Sequence, residues 1–317
     1  MDTQPLDEVL GGQEQEGRRT GPWGWLTTTP RHLAPSLFPL EEDRVVVGRS
    51  EEDILQGAKL TIDESLFQGA KEKQFLKTSR THFEVFRDGG LVDKSSNGTY
   101  VNGLKVGKNK TYRLSHGDVI SLLDPHLQIY SFLCEEHLRL HWPESLNSSY
   151  LVGRSVGEGA SATVYEVFTR DDQVRRALKV LDKNESSQYS ADPDQDFMRE
   201  VKVLKGMKHP NITEVLDVLE TPDKVMIVME YAAGGELFDQ VVADSEAGKL
   251  EERHAKIQCY QIATVLAFLH SRRVCHRDLK LENVLLAAPG PVSRIKVTDF
   301  GLSKKWSNTS LLQTYVG

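Results

Sequence analysis

Short runs in which apolar and polar residues alternate dominate the chain between about residues 43 and 136. Alternation by two places one face of a segment in a core and the other in solvent, which is typical of β-strands. Turn-forming pairs such as Asn-Gly and Gly-Gly separate the runs. The pattern predicts an all-β sandwich or barrel over 40–136, with strands in RVVVGR, THFEVF, LVD, GTYVNG, VISLL and IYSFL.

The segments on either side of this block differ in composition. Residues 1–39 are rich in glycine, threonine, proline and charged residues, so little apolar surface can be buried and we predict a disordered tail. The block HWPESLNSS at 141–149 combines a proline with small polar residues, and it predicts a linker over 137–149.

Beyond residue 150 the period changes along the chain. Two strand-like runs, YLVGRSVGEGASATVYEVF and RRALKVL, are followed by a helical period, a buried strand at 224–231 and a second helical period. This order predicts an α+β domain over 150–317. The two helical faces consist of Phe197, Val201 and Leu204, and of Ile262, Val265, Leu266 and Leu269.

Composition and charge argue against several classes of protein. The net charge of -7 and the pI near 5.8 argue against direct nucleic-acid binding, which needs basic surface. Cys134, Cys259 and Cys275 are too few for a disulfide framework or a zinc site. The apolar run at 225–229 is too short to span a membrane, and the start of the chain lacks the pattern of a signal peptide. We therefore expect an intracellular protein.

Four motifs after residue 150 carry phosphate chemistry. GEGASATV at 157–164 has small residues that let backbone N–H groups approach phosphates, and Lys179 follows at the spacing of a phosphate-binding lysine. Glu200 can pair with that lysine. Alone, each feature is more often a turn or a surface charge. HRDLKLEN at 276–283 and TDFG at 298–301 follow, and a chance co-occurrence of the whole set in this order is negligible.

The last two motifs supply the reacting groups. Asp278 would accept or orient the proton of the attacking hydroxyl, and Lys280 would neutralise the transferring phosphoryl group. Asn283 and Asp299 would hold Mg²⁺. Charge neutralisation and positioning are most of what this reaction needs.

These motifs identify a family. From about residue 150 the chain resembles eukaryotic protein kinases, and Lys280 after HRD favours serine/threonine specificity. EYAAGGELFD resembles the calcium/calmodulin-dependent kinase group. The resemblance implies ATP and Mg²⁺ as cofactors and proteins as substrates. It also implies a set of ATP-binding residues, although core packing alone would account for the aliphatic ones: Val156, Gly157, Gly159, Val164, Ala177, Lys179, Met229 as gatekeeper, Glu230 and Ala232 of the hinge, and Glu236 at the ribose.

The printed chain ends sixteen residues after Gly301, before the APE segment and the later helices that the family carries. On that comparison we expect the kinase domain to be incomplete. We expect the chain as printed to be unable to phosphorylate proteins.

The sandwich region has its own candidate site. GRS at 48–50, SRTHF at 79–83 and SSNGTYVNG at 95–103 occur at strand ends and turns. Taken singly, Asn-Gly pairs mark hairpins and an arginine is a surface charge. Together their side chains suit phosphate capture: Arg49, Ser79, Arg80 and Asn97.

This pattern resembles the forkhead-associated (FHA) domain, a β sandwich that binds phosphothreonine peptides. The resemblance places Arg49, Ser79, Arg80 and Asn97 at the peptide, with Gly48 and His82 in support. Thr99 and Asn102 would be neighbours. The stretch at 50–78 is an insertion whose conformation the pattern does not predict.

The order of the two regions resembles the FHA-containing checkpoint kinases of the DNA-damage response. The resemblance implies a nuclear protein, phosphorylated on Thr3 of a TQPL segment by an upstream damage-sensing kinase. The FHA domain of a second molecule would bind that site and form a homodimer, and Thr314 would be the activation-loop phosphosite. Each threonine is otherwise an ordinary exposed residue. A catalytically inactive phosphothreonine-binding adaptor, or a competing short isoform, is the alternative.

Overall fold

The computed structural model describes residues 21–30, 36–49, 58–67, 72–159, 162–183, 205–243, 250–290, 292–299 and 304–305. The part up to Cys134 is built from strands. Those described there are β1 (Gly24–Thr28), β2 (Leu37–Leu40), β3 (Arg44–Gly48), β4 (Ala58–Thr61), β5 (Phe83–Phe86), β6 (Gly90–Asp93), β7 (Thr99–Val101), β8 (Leu104–Lys105), β9 (Thr111–Arg113), β10 (Val119–Leu122) and β11 (Gln128–Cys134).

These strands form two sheets that pack face to face. The six-stranded sheet has the order β2-β1-β11-β10-β7-β8, and the five-stranded sheet has the order β4-β3-β5-β6-β9. Alternate side chains of both sheets meet in a core. The predicted sandwich and its six predicted strands are confirmed. Core side chains with no exposed surface include Leu26, Val47, Phe83, Leu91, Ile120 and Tyr130.

The prediction that residues 1–39 form a disordered tail is wrong for β1 and β2. Both strands belong to the six-stranded sheet, where β1 pairs with β11 from Gly24 opposite Cys134 to Thr28 opposite Tyr130. Leu26 is fully buried in the sandwich core. Composition averaged over the tail hid a strand whose hydrogen-bonding partner lies about a hundred residues away in the sequence.

Part of the insertion at 50–78 completes the sandwich. It contributes β4, which runs parallel to β3, then a 3-10 helix (Glu64–Leu66) and α1 (Glu72–Phe75). Asp63 caps the 3-10 helix by accepting a hydrogen bond from the Ser65 N–H at 2.7 Å. Apolar residues on both sides of this cap lie in the core: Leu60, Ile62, Leu66 and Phe67.

The predicted linker is helical and packed. It contains most of α2 (Glu135–His141) and all of α3 (Glu144–Asn147), and Leu138 and Leu146 are fully buried. Asn147 holds the two helices together, because its Nδ2 donates to the carbonyls of Leu138 at 2.7 Å and Trp142 at 2.9 Å. Proline and small polar residues here form helix ends rather than an extended connection.

The second domain begins with a five-stranded sheet, called here the lobe sheet. The strands of the lobe sheet are β12 (Tyr150–Glu158), β13 (Ala162–Thr169), β14 (Arg175–Asp182), β15 (Val215–Glu220) and β16 (Lys224–Glu230). Their order in the sheet is β12-β13-β14-β16-β15, and the buried strand predicted at 224–231 is confirmed as β16.

A helical part with short strands follows. Its elements are β17 (Gly235–Glu236), α4 (Leu237–Ala243), α5 (Glu252–Ser271), β18 (Val274–Cys275), a 3-10 helix (Leu281–Asn283), β19 (Val284–Leu286), β20 (Ile295–Val297) and β21 (Lys304–Lys305). The second predicted helical period is confirmed in α5, where Val265 and Leu269 are buried. The helical face predicted around Phe197 lies outside the described residues.

The sandwich and the lobe sheet share one hydrophobic cluster. Three side chains of the six-stranded sheet point away from the sandwich core and belong to this shared cluster: Trp25 on β1, Leu37 on β2 and Leu133 on β11. Leu138 of α2, Leu146 of α3 and side chains of the lobe sheet complete the cluster; those of the lobe sheet are Leu151, Val152, Val167, Phe168, Leu178, Val180, Met226 and Val228. Among the described residues, no helix is long and apolar enough to cross a membrane.

Histidine packing near this junction predicts a pH-dependent stability. The His116 ring stacks on the His137 ring at 4.2 Å between centroids, and its Nδ1 accepts the Cys134 N–H at 3.1 Å. Burial, followed by the charge of His137, lowers the pKa of His116 from 6.5 to about 4. The unfolded chain therefore takes up a proton that the folded chain excludes.

This imidazole contributes stability above pH 6.5 that is lost as pH falls towards 4, at most about 3 kcal/mol. We expect urea unfolding of His116→Gln to depend less steeply on pH between 7 and 5 than that of the parent chain. His126→Gln, at an exposed position, is the control. Equal pH slopes for parent and His116→Gln would contradict the prediction.

Candidate functional site

Three loops meet at one end of the sandwich. The Arg49 N–H donates to the Ser79 carbonyl at 3.1 Å, which joins the end of β3 to the turn before β5. The Ser79 hydroxyl accepts the N–H of Ser96 at 3.0 Å, and Asn97 Nδ2 donates to the Lys77 carbonyl at 2.7 Å. Predicted site residues from three separate motifs are thereby brought together.

Gly48 and His82 hold these loops close. A Cβ on Gly48 would lie 1.8 Å from the Arg80 carbonyl oxygen, so only glycine permits this approach. The fully buried His82 accepts the Ser79 N–H on Nδ1 at 3.1 Å, and its Nε2 donates to the Gly98 carbonyl at 3.2 Å. Burial lowers the pKa of His82, which favours the neutral ring that these two bonds require.

Asp93 organises the third loop, and the sequence analysis missed it. Its Oδ1 accepts the Ser95 N–H at 2.8 Å, the Ser95 hydroxyl at 2.6 Å and the Thr99 hydroxyl at 2.8 Å. The spacing of an aspartate two residues before a serine, which favours a side-chain-capped turn, is the signal that could have found it.

The two residues predicted as neighbours of the peptide support turns, and their closeness to a bound peptide stays a prediction. Thr99 donates to Asp93, and Asn102 bonds to Asp118 Oδ1 at 2.8 Å and to the Val119 N–H at 2.9 Å.

The loop end suits an anion. Arg49 Nε is buried and, among the described residues, has no hydrogen-bond partner. Arg80 and Asn97 are exposed beside it. A buried guanidinium N–H of this kind costs free energy unless an acceptor reaches it, and a phosphate oxygen is a strong one. The arrangement can bind a phosphorylated side chain.

A second cluster joins the lobe sheet to the helical part. Lys179 Nζ on β14 donates to Asp299 Oδ1 at 3.0 Å, and the lysine side chain is largely buried. Asp299 follows β20 and has a φ of 60°, in the left-handed region that few non-glycine residues adopt. This backbone turn points the carboxylate back to the lysine.

The segment 276–283 is the other half of the cluster. Asn283 Nδ2 donates to the Asp278 carbonyl at 2.8 Å and to Asp278 Oδ2 at 2.9 Å, and Lys280 Nζ lies 3.5 Å from the same carboxylate oxygen. His276 Nε2 bonds to the Thr298 carbonyl at 2.9 Å, and the Thr298 N–H donates to the Asn283 carbonyl at 3.0 Å. These bonds tie Asp278 and Asn283 to the strand that carries Asp299.

The donor set fits Mg²⁺ and a polyphosphate. Mg²⁺ prefers oxygen ligands and is held by one or two carboxylates together with substrate phosphates. The carboxylate of Asp299 and the Oδ1 of Asn283, whose Nδ2 donates two hydrogen bonds to Asp278, are oxygens of this kind. Lys179 supplies a cation for phosphate oxygens.

The described residues of the glycine-rich segment lie at the end of the β12–β13 hairpin. Gly157 pairs with Val164, and the Gly159 N–H donates to the Ala162 carbonyl at 2.9 Å. A Cβ on Gly157 would meet nothing nearer than 3.9 Å, so this side of the hairpin is open. Val156 is exposed.

Val164, Ala177 and Met229, three of the residues predicted to bind ATP, lie on one face of the lobe sheet. Ala177 lies opposite Met229, and Lys179 lies opposite both Val164 and Ile227. Cross-strand partners point to the same face, so Val164, Ala177 and Met229 form an apolar surface beside Lys179.

The segment 230–232, predicted as the hinge, is fastened to the helical part by an ion pair that the sequence analysis missed. Buried Lys296 on β20 places Nζ 2.7 Å from Glu230 Oε2. Ala232 is partly buried, as is Glu236 on β17. Burial, followed by the charges of Asp239 and Glu282, raises the pKa of Glu236. Its role at a ribose stays a prediction.

Three predicted site residues lie outside the described residues: Glu200, Thr3 and Thr314. The ion pair of Lys179 with Glu200 and both phosphosites therefore stay predictions.

Comparison with known families agrees with the two sites. The second domain matches the protein kinase domain over residues 150–317, and the sandwich matches the FHA domain over 45–123. Because the kinase match covers more than half of the chain, this chain belongs to the protein kinase family, and it carries an FHA domain before the kinase domain.

The individual relatives that the chain matches include serine/threonine-protein kinases from animals and a yeast. The chain is 32% identical to serine/threonine-protein kinase chk-2 of Caenorhabditis elegans, over 97% of the chain and 64% of that relative. It is 31% identical to ovarian-specific serine/threonine-protein kinase Lok of Drosophila melanogaster, over 88% of the chain and 59% of the relative. It is 32% identical to serine/threonine-protein kinase cds1 of Schizosaccharomyces pombe, over 76% of the chain and 56% of that relative. The chain thus spans less than two thirds of the length of each.

The closeness of Gly48 to Arg80 predicts a sharp effect of one methyl group. Gly48→Ala should lower the free energy of unfolding by about 3 kcal/mol, because backbone has to move to admit the Cβ. It should also weaken the binding of a phosphothreonine peptide at least tenfold, because Arg49 and Arg80 move apart. Urea unfolding and fluorescence anisotropy measure the two effects.

Gly103→Ala is the matched control, since φ is 80° there but no atom lies within 4 Å. It should cost about 1 to 2 kcal/mol from backbone strain and leave peptide affinity unchanged. Wild-type peptide affinity in Gly48→Ala would contradict the prediction.

Proposed function

We propose that this protein is a serine/threonine kinase that transfers the γ-phosphate of ATP to protein hydroxyls, and that its FHA domain selects phosphothreonine-bearing partners. The observation that carries the proposal is the joined cluster of Lys179 with Asp299 at 3.0 Å and Asp278 with Asn283 at 2.9 Å. Phosphoryl transfer needs a phosphate-binding cation, metal-binding oxygens and a carboxylate for the hydroxyl proton.

Each side chain has a defined task in this proposal. Asp278 accepts or orients the proton of the substrate hydroxyl, and the Asn283 amide holds its carboxylate in place. Lys280, whose Nζ lies 3.5 Å from Asp278 Oδ2, stabilises negative charge on the phosphoryl group. Lys179 binds phosphate oxygens, while Asn283 and Asp299 would hold Mg²⁺. Bound Mg-ATP supplies the phosphoryl group and the metal charge.

The cellular role is the finer part of the proposal. The order of FHA and kinase domains, together with the resemblance of both motif sets to checkpoint kinases, supports a role in DNA-damage checkpoint signalling in the nucleus. An upstream damage-sensing kinase would phosphorylate Thr3, and the FHA domain of a second molecule would bind it. The resulting homodimer would phosphorylate Thr314 in each partner.

Two aspartates separate nucleotide binding from phosphoryl transfer. Asp299→Asn should weaken the binding of Mg²⁺ with a non-hydrolysable ATP analogue at least tenfold, since a charged ligand of the metal is lost. Asp278→Asn should bind this complex within about twofold of the parent. In a protein that carries the whole kinase domain, the same change should lower phosphoryl transfer by about a thousandfold or more. Calorimetry and transfer of labelled phosphate to a protein substrate measure the two effects.

Equal affinity of parent and Asp299→Asn for the magnesium complex would refute the metal-binding role. A parent chain that binds phosphopeptide but no nucleotide would favour the inactive adaptor.

The FHA site predicts selective loss in an arginine variant. Arg49→Ala should weaken binding of the phosphorylated TQPL peptide about 10- to 100-fold, because a charge-assisted hydrogen bond to phosphate is lost. The peptide affinity of Arg49→Lys should lie between those of the parent and Arg49→Ala, because lysine keeps the positive charge but lacks the planar guanidinium. Arg113→Ala, at an exposed position on β9, should match the parent. Unchanged affinity in Arg49→Ala would show that the phosphate binds elsewhere.

A further inference from the structure

Arg175 is a buried arginine where the FHA domain, the lobe sheet and the hinge segment meet. Its side chain is 6% exposed. One guanidinium NH2 group donates to the Thr28 carbonyl of β1 at 2.7 Å. The guanidinium carbon lies 5.3 Å from the ring centroid of Tyr231 and 5.8 Å from that of Phe168, both within the range of cation–π attraction. Tyr231 lies inside the segment 230–232.

The position of Arg175 on β14 relates it to the nucleotide cluster. Side chains at alternate positions of a strand share a face, so Arg175, Ala177 and Lys179 point the same way. Ala177 lies opposite Met229, the residue two before Tyr231. The strand that carries the phosphate-binding lysine therefore begins with the arginine that contacts the hinge segment.

The FHA side of this contact does not depend on Arg175 alone. The Leu37 N–H of β2 donates to Gln173 Oε1 at 3.2 Å, and Arg170 stacks on Trp25 with 5.3 Å between its guanidinium carbon and a ring centroid. All three residues, Arg170, Gln173 and Arg175, lie on or next to the turn between β13 and β14. This turn docks on the outer face of the six-stranded sheet.

Charge pairing accounts for only part of the environment of Arg175. It forms an ion pair with buried Glu166, but the 3.8 Å between Arg175 Nε and Glu166 Oε2 is too long for a hydrogen bond. Glu166 is already 3.3 Å from Arg154 Nε. Burying a cation is costly, and an apolar residue of similar size would pack here with less penalty. The contacts that use the planar guanidinium are those to Thr28 and Tyr231.

We propose that Arg175 is a positioning residue through which the docked FHA domain holds the hinge segment in its nucleotide-binding conformation. The Thr28 carbonyl fixes the guanidinium, and the guanidinium fixes the Tyr231 ring and with it the backbone on either side. The FHA domain thereby contributes to nucleotide affinity without touching the nucleotide. This inference rests on the proposed function, since it takes 230–232 as the adenine-binding segment.

The test compares variants of the full chain by two measurements. The first is calorimetric affinity for the magnesium complex of a non-hydrolysable ATP analogue, and the second is amide hydrogen exchange at 230–233 in the nucleotide-free protein. Arg175→Met keeps the apolar stem and removes the guanidinium, and Arg175→Lys keeps only the charge. Gln173→Ala removes one FHA contact without touching the hinge. Arg113→Met is an exposed control.

We expect Arg175→Met to weaken nucleotide binding about tenfold and to speed exchange at 230–233. Gln173→Ala should shift both measurements in the same direction by a smaller factor, Arg175→Lys should recover part of the affinity, and Arg113→Met should match the parent. Phosphopeptide affinity within twofold of the parent shows in each variant that the FHA domain is folded.

The inference is overturned if Arg175→Met keeps parental nucleotide affinity and parental exchange at 230–233. It is also overturned if Gln173→Ala changes neither measurement, since FHA docking would then have no influence on the hinge. A parent chain that fails to bind nucleotide refutes the proposed function, whereas hinge exchange in the nucleotide-free variants still decides the role of Arg175.

Discussion

The hydrophobic cluster between the six-stranded sheet and the lobe sheet is the contact on which the arrangement of both sites depends. Trp25, Leu37 and Leu133 leave the sandwich core and pack against the second domain. Apolar area of this kind is the main source of favourable free energy in folding. It makes the FHA domain and the lobe sheet neighbouring layers of one packed structure, and buried polar groups such as Arg175 acquire fixed partners at its edge.

Hydrogen bonds within the protein hold the predicted functional side chains in place at both sites. In each, backbone carbonyls and a single aspartate or asparagine hold the reactive side chains, so little reorganisation is needed when phosphate arrives. Asp93 and the neutral His82 hold the FHA loops, and Asn283 with His276 holds the segment around Asp278. In the proposed function, Arg49 at one site and Lys179 at the other would then present positive charge to phosphate oxygens.

Much of the fold followed from local pattern, because alternation and turn residues act over a few positions. The six sandwich strands, the strand at 224–231 and helix α5 were predicted in this way and are confirmed. The failures have one cause. Strands β1 and β2 and the packed helices α2 and α3 acquire their stability from distant partners, such as β11 for β1, while the average composition of the segments around them is that of loops.

The sequence by itself determined the family: motif order specified an FHA domain followed by a protein kinase domain, and the same motifs predicted which side chains bind phosphate and react. Tertiary structure decided what holds those side chains and how the domains join. Lys296 and Arg175 act through partners far away in sequence, at Glu230 and Thr28. A short motif records the groups that meet a ligand, whereas long-range packing alone brings a carbonyl of β1 to an arginine beside the hinge.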